Sequence, residues 1–129
     1  MYSFSRCERL KSRTLIGRLF REGNSYMAYP LRVVWLPVEE GHSAQRFFEE
    51  NRAQLAVSVP KRAFKSAVAR NRLKRQVREA YRLHKHELYE KLAAADRQIV
   101  LMLVLVAKDN IPFGDIENGV RKLIKKFPV

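Results

Sequence analysis

Residues 65–92 read Lys65-Ser-Ala-Val-Ala-Arg-Asn-Arg-Leu-Lys-Arg-Gln-Val-Arg-Glu-Ala-Tyr-Arg-Leu-His-Lys-His-Glu-Leu-Tyr-Glu-Lys-Leu92, with no glycine and no proline. At about 100° per residue, with Ala67 at zero, Ala69, Leu73, Val77, Ala80 and His84 fall between about 200° and 280°. That stripe predicts one long helix with a single core face. Asn71, Lys74, Arg75, Arg78, Arg82 and Lys85 fall between about 340° and 80°, on the opposite side, and Arg70 and Arg72 lie on its shoulders. The polar face is therefore almost wholly cationic.

The flanking segments decide what this helix packs against. Residues 53–59 alternate, with Leu55, Val57 and Val59 one way and Gln54, Ala56 and Ser58 the other, and Pro60 stops the strand. Residues 98–107 read as a strand, apolar without interruption from Ile99 to Ala107, which predicts burial on both faces or nearly so. Upstream, residues 12–22 predict a short helix through Leu15, Ile16, Leu19 and Phe20, capped by Ser12 or Thr14 and closed by Gly23. Residues 26–36 read as one strand, with Pro30 and Pro37 marking an edge or its limits. Residues 39–52 form a long polar connection. Asn110, Pro112 and Gly114 mark a turn, and residues 115–127 a closing helix with Ile116, Val120, Leu123, Ile124 and Phe127 inward. Gly119 in mid-helix costs about 1 kcal/mol of helix propensity. The order α-β-β-α-β-α predicts a single α+β domain over residues 1–129, helices on a small sheet, with 1–8 a mobile tail.

The chain has 129 residues, with 26 Lys+Arg against 13 Asp+Glu, a formal +13. Between Lys61 and Lys85 stand ten basic residues and one acid, Glu79, so +9 of the excess lies in 25 residues. Like charges recur at i,i+3 and i,i+4, where ordinary solvated helices mix signs. A face that tolerates this repulsion predicts a polyanionic partner. Arginine, with its planar fork, suits phosphate and base contacts, and the small opposite face lacks the anchors of a membrane-surface helix. No helix-turn-helix partner precedes the basic helix, which argues against DNA. Charge alone leaves RNA and DNA open. Exposed aromatic rings would favour single-stranded RNA, and Phe20, Tyr26, Tyr29 and Trp35 are candidate platforms or ordinary strand and core residues.

No catalytic constellation emerges. His84 and His86 point about 200° apart on a helix, wrong for one metal. His86 and Glu90 at i,i+4 suit a solvated pair. Glu39, Glu40, Glu49 and Glu50 sit in the long connection, and Cys7 has no nearby partner. One cysteine, the charges throughout residues 1–21 and the shortness of the apolar runs predict a soluble, cytoplasmic protein with no membrane partner.

The segment Val59-Pro-Lys-Arg-Ala-Phe-Lys-Ser-Ala-Val-Ala-Arg-Asn-Arg-Leu-Lys-Arg-Gln-Val-Arg-Glu-Ala-Tyr-Arg82 resembles the signature of the bacterial ribonuclease P protein subunit family. Arg9-Leu10-Lys11 and Leu19-Phe20-Arg21-Glu22-Gly23 also resemble that family's N-terminal helix region, so the likeness runs from about residue 9 to 127. It implies the order α-β-β-β-α-β-α, one strand more than the pattern gave, with a left-handed β-α-β crossover. It also implies an accessory protein of a ribozyme that removes the 5′ leader of precursor tRNA, the chemistry and its Mg²⁺ belonging mainly to the RNA. In the family that helix face contacts the RNA subunit and the nearby leader, and Arg70, Asn71, Arg72, Lys74, Arg75 and Arg78 match it by position; Lys61, Arg62 and Arg82 extend that set on the charge pattern. Phe20 matches an aromatic residue of a cleft that accepts the single-stranded leader. Ile16 and Val34 stand where some relatives carry aromatic residues, and Tyr29 and Trp35 are the substitutes. Phe64-Lys65-Ser66 lacks a glycine that some relatives carry before the motif. The rival reading is a basic ribosomal or RNA-chaperone protein without leader preference; an independent nuclease lacks its carboxylate or histidine cluster.

Overall fold

The computed structural model describes residues 9–38, 52–107 and 111–128. The readings for the 1–8 tail, Cys7 and most of the 39–52 connection fall outside them. Seven elements follow in the order α1 (Arg13–Glu22), β1 (Asn24–Ala28), β2 (Leu31–Pro37), β3 (Ala53–Ser58), α2 (Ala67–Ala94), β4 (Ile99–Leu105) and α3 (Phe113–Lys126). This is the α+β order that the resemblance implied. The single strand read over 26–36 is corrected to a hairpin. Tyr29 and Pro30 form its turn, and β1 and β2 pair antiparallel from Asn24↔Trp35 to Ala28↔Leu31. Proline lacks the N–H that a continuous strand needs, so the break falls there.

The sheet order is β1-β2-β4-β3, with β2·β4 antiparallel and β3·β4 parallel. The apolar run of β4 lies at the inside of the sheet. Ile99, Leu101, Leu103 and Leu105 face α2 and α3 in a core with Leu31, Val33, Leu55, Leu73, Val77 and Leu123. Val100 and Met102 face the other way, where Leu10, Leu15, Leu19 and Leu36 join them beneath α1. Double coverage is what an unbroken apolar strand demands. A parallel β3·β4 pair requires a crossover, and α2 supplies it. Just before α1, Leu10 N–H donates to Leu55 O (2.8 Å), placing Arg9 beside the outer edge of β3.

Local chemistry fixes the helix ends. Ser12 caps α1, accepting from Leu15 N–H, and Ser66 caps α2, accepting from Ala69 N–H, each at 3.3 Å. At the end of α2, Asp96 takes φ 51° and Arg97 N–H reaches back to Leu92 O (2.8 Å), a left-handed C-terminal cap. Lys91 Nζ donates to the last carbonyls of α3, Ile124 O (2.8 Å) and Lys125 O (3.0 Å), and Tyr26 Oη donates to Leu123 O (2.7 Å). Burial holds the Tyr26 phenol well above its ordinary value.

Gly119 has a packing reason. A Cβ there would stand 2.8 Å from Pro30 Cδ and 3.2 Å from the carbonyl oxygens of Ala28 and Tyr29, so α3 rests directly on the hairpin turn. Gly114 has open space around it. Gly119→Ala is therefore expected to lower unfolding free energy by about 1–3 kcal/mol despite alanine's better helix propensity. Gly114→Ala should raise it by up to about 1 kcal/mol. Urea denaturation of the two variants checks the opposite signs.

Candidate nucleic-acid interface

The interface begins where β3 ends. Pro60 O accepts from Ala63 and Phe64 N–H, a turn that leaves Lys61 and Arg62 exposed and buries Phe64. Arg70 then folds back, its Nη1 donating to Phe64 O and Lys65 O, both at 2.8 Å. Read from sequence as an RNA contact, Arg70 is also the clamp that ties this turn to the start of α2.

Beyond it, Asn71, Arg72 and Arg75 are exposed, and Lys74 and Arg78 are half-buried. Val68, Asn71, Lys74, Arg75 and Arg78 line one groove of about 520 Å³ without a carboxylate among them. Burial first, and the charge of Arg9 second, push the Arg78 guanidinium below its ordinary value. The charge of Arg9, far away in sequence, is thus felt at Arg78. Sequence reasoning missed Arg9 as a site residue. Nothing in its neighbourhood signals the approach, which depends on the Arg9–Leu55 bridge at the sheet edge.

The cationic face is shorter than its spacing predicted. Arg82 makes hydrogen bonds of 3.0 and 2.6 Å to Glu79, which hold the Glu79 carboxyl low and raise the guanidinium in return. Its charge is matched locally. Lys85, placed on the ridge by the helical wheel, is only 8% exposed, with Nζ 5.6 Å from the centre of the Tyr89 ring. The buried stripe starts at Leu73, Val77 and Ala80 and drifts through Tyr81 to Leu88 and Leu92, carrying position 85 inward. α3 packs along the later turns of α2 on the side of His84 and Lys91. His84 Nε2 lies 2.9 Å from Glu117 Oε2 there.

Among the proposed leader residues, Phe20 is 68% exposed on α1 and Tyr29 63% exposed on the hairpin turn. Trp35 does not join them. Only 8% exposed, it packs on Phe127 with ring centres 4.9 Å apart, on the α2–α3 side of the sheet. Strand alternation separates the two faces, putting Arg32, Val34 and Leu36 on the α1 side. Ile16, Val34, Ala56 and Val104 are partly buried there, and Arg32 is exposed. The ground beside α1 is aliphatic, with a cation on it that only the period-two pattern signals.

No helix of the described residues is long and apolar enough to cross a membrane, and no three His, Cys, Asp or Glu side chains among them converge. A family model, Ribonuclease P, matches residues 4–128. The chain is 40% identical over 123 residues to the ribonuclease P protein component of Porphyromonas gingivalis, covering 94% of this chain and 83% of that one. It is 32% identical to the component of Dictyoglomus turgidum, covering 97% and 90%. Among solved structures, the RNase P protein of Thermotoga maritima shares the fold with a TM-score of 0.69 at 21% identity, over 95% of this chain and 99% of that one. That of Staphylococcus aureus does so with 0.64 at 24%, over 92% and 93%.

Scaffold and contact roles separate by stability. Arg70→Ala removes charge-assisted bonds to two carbonyls and is expected to lower unfolding free energy by about 1–2 kcal/mol. Arg75→Ala, exposed and outside any such bond, should stay within about 0.5 kcal/mol of the parent. Urea titration of the RNA-free protein measures both.

Proposed function

The chain belongs to the ribonuclease P protein family, and from that premise we propose how it acts within the endoribonuclease. The α2 ridge binds the catalytic RNA, and the α1 side of the sheet receives the 5′ leader of precursor tRNA, so that the protein is an accessory subunit assisting removal of the leader by the RNA. The observation that carries this reading is the acid-free groove of Val68, Asn71, Lys74, Arg75 and Arg78 with Arg9 beside it. A groove lined by cations with no carboxylate among its lining residues calls for an external counter-charge, and a phosphate chain supplies it at the spacing of a helix face.

The action is electrostatic and positional. Each phosphate neutralised releases counterions, so folded RNA forms at lower ionic strength. Phe20, exposed at the end of α1 beside the aliphatic ground of Ile16, Val34 and Val104, offers a ring to an unpaired leader base, with Tyr29 at the rim. Mature tRNA has no leader, so these contacts favour substrate over product. Mg²⁺ supplies charge stabilisation at the reacting phosphate. The donors of the ridge do not fit a dedicated protein site for it, since they are cations and one carboxylate already held by Arg82. RNA and substrate hold the metal in this reading.

Reconstitution with ribonuclease P RNA and a precursor tRNA tests both halves. Lys74→Ala, Arg75→Ala and Arg78→Ala should each flatten the salt dependence of RNA binding by about 0.7–0.9 in log–log slope. Phe20→Ala should cut the preference for precursor over mature tRNA by roughly tenfold, the worth of one stacked base. Unchanged slopes would mean that the ridge faces solvent, and an unchanged preference would remove Phe20 from the leader site.

A further inference from the structure

Beside the ridge, on the shoulder of α2 that faces the start of α3, lies a second groove of about 470 Å³ lined by Arg72, Arg75, Gln76, Glu79 and Phe113. We infer that this groove receives one unstacked guanine of the RNA bound on the ridge. The inference rests on the RNA-facing reading of α2 and adds to it a base-specific pocket.

Three observations converge. Arg75 lines both grooves, so a nucleotide whose phosphate sits on the ridge has its base within reach of the side groove. Phe113 is partly buried against the main core, which steadies it as a wall for stacking. The remaining lining groups are acceptors without a phosphate-binding purpose. Glu79 is the one acid between Lys61 and Lys85, on a surface where a carboxylate repels phosphate. Gln76 Oε1 is buried with no hydrogen-bond partner. Turning that amide toward the groove sacrifices no bond of the oxygen. Arg82 occupies part of the Glu79 carboxylate, whose two oxygens offer about four acceptor positions in all.

Acceptors select donors. Guanine presents N1–H and the N2 amine side by side on its pairing edge, whereas adenine and cytosine present one exocyclic amine each beside an acceptor nitrogen. Gln76 Oε1 and Glu79 together match the guanine edge, Phe113 takes the ring face, and Arg72 and Arg75 take the flanking phosphates. A size of about 470 Å³ suits a single nucleotide.

The test uses the full chain bound to ribonuclease P RNA, probed with kethoxal, which modifies N1 and N2 of unpaired guanines. One guanine reactive in the free RNA should be protected by the parent protein. It should regain reactivity with Gln76→Leu and with Phe113→Leu, and both variants should bind roughly tenfold more weakly, as loss of one stacked base predicts. Their salt slope should stay that of the parent, because the phosphate contacts remain. Protection that persists in Gln76→Leu overturns the inference, as does protection of no guanine, or of an adenine alone, while salt-dependent binding is intact. Absence of salt-dependent binding by the parent overturns the ridge and the groove together. Gln76→Leu replaces an unpaired amide with an apolar side chain, so the test stands even where Phe113→Leu weakens the fold.

Discussion

A seven-residue strand with no polar side chain, Ile99–Leu105, cannot leave either face in water, and most of this architecture answers that constraint. β2 and β3 pair with its two edges, α1 covers one face, and α2 with α3 covers the other. Because β3 runs parallel to β4, the chain must cross from one end of the sheet to the other between them, and the crossing is a helix of 28 residues, about 42 Å long. Core packing uses one side of that helix. The other side is free to carry charge, and its placement is set by the strand pair beneath it.

The charge it carries works against the helix taken alone. Arg70–Lys74, Lys74–Arg78, Arg72–Arg75 and Arg75–Arg78 are like pairs at i,i+3 or i,i+4, which together oppose the helix by about 1–2 kcal/mol. Burial of Leu73, Val77, Tyr81, Leu88 and Leu92 outweighs this, since each such side chain contributes about as much as the whole repulsion. The one acid between Lys61 and Lys85, Glu79, bonds Arg82 and does not line the groove of Lys74, Arg75 and Arg78.

Much of this was legible in the sequence, because periodicity reports which side of an element is apolar. The alternation in 53–59, the unbroken run in 99–107 and the stripe of α2 gave the elements and the basic face. Where reading failed, tertiary packing had intervened. Lys85 sits at the angle of the ridge, yet the buried stripe drifts toward it over the later turns of α2, and the amine ends against Tyr89. Trp35 is aromatic and on a strand, but its parity sends it to Phe127 and not toward α1. The charge of Arg9 acts on Arg78 because a bridge joins Arg9 to Leu55, 46 residues on, a pairing that no local pattern encodes. The resemblance to a family supplied what periodicity lacked, the division of 26–36 into two strands.

A basic disordered tail could carry the same charge, so the fold itself needs a reason. Binding through long flexible side chains loses rotamer freedom with each contact, and a disordered segment loses backbone freedom as well. Here Ser66 and Arg70 fix the first turn of α2, and the stems of Lys74 and Arg78 are already half-buried before any partner arrives. Much of the ordering cost is met on folding, by the same apolar contacts that cover β4. The core therefore contributes to polyanion binding without touching the polyanion. Loosening Leu73 or Val77 would weaken the interface through disorder of the ridge, with every cation still present.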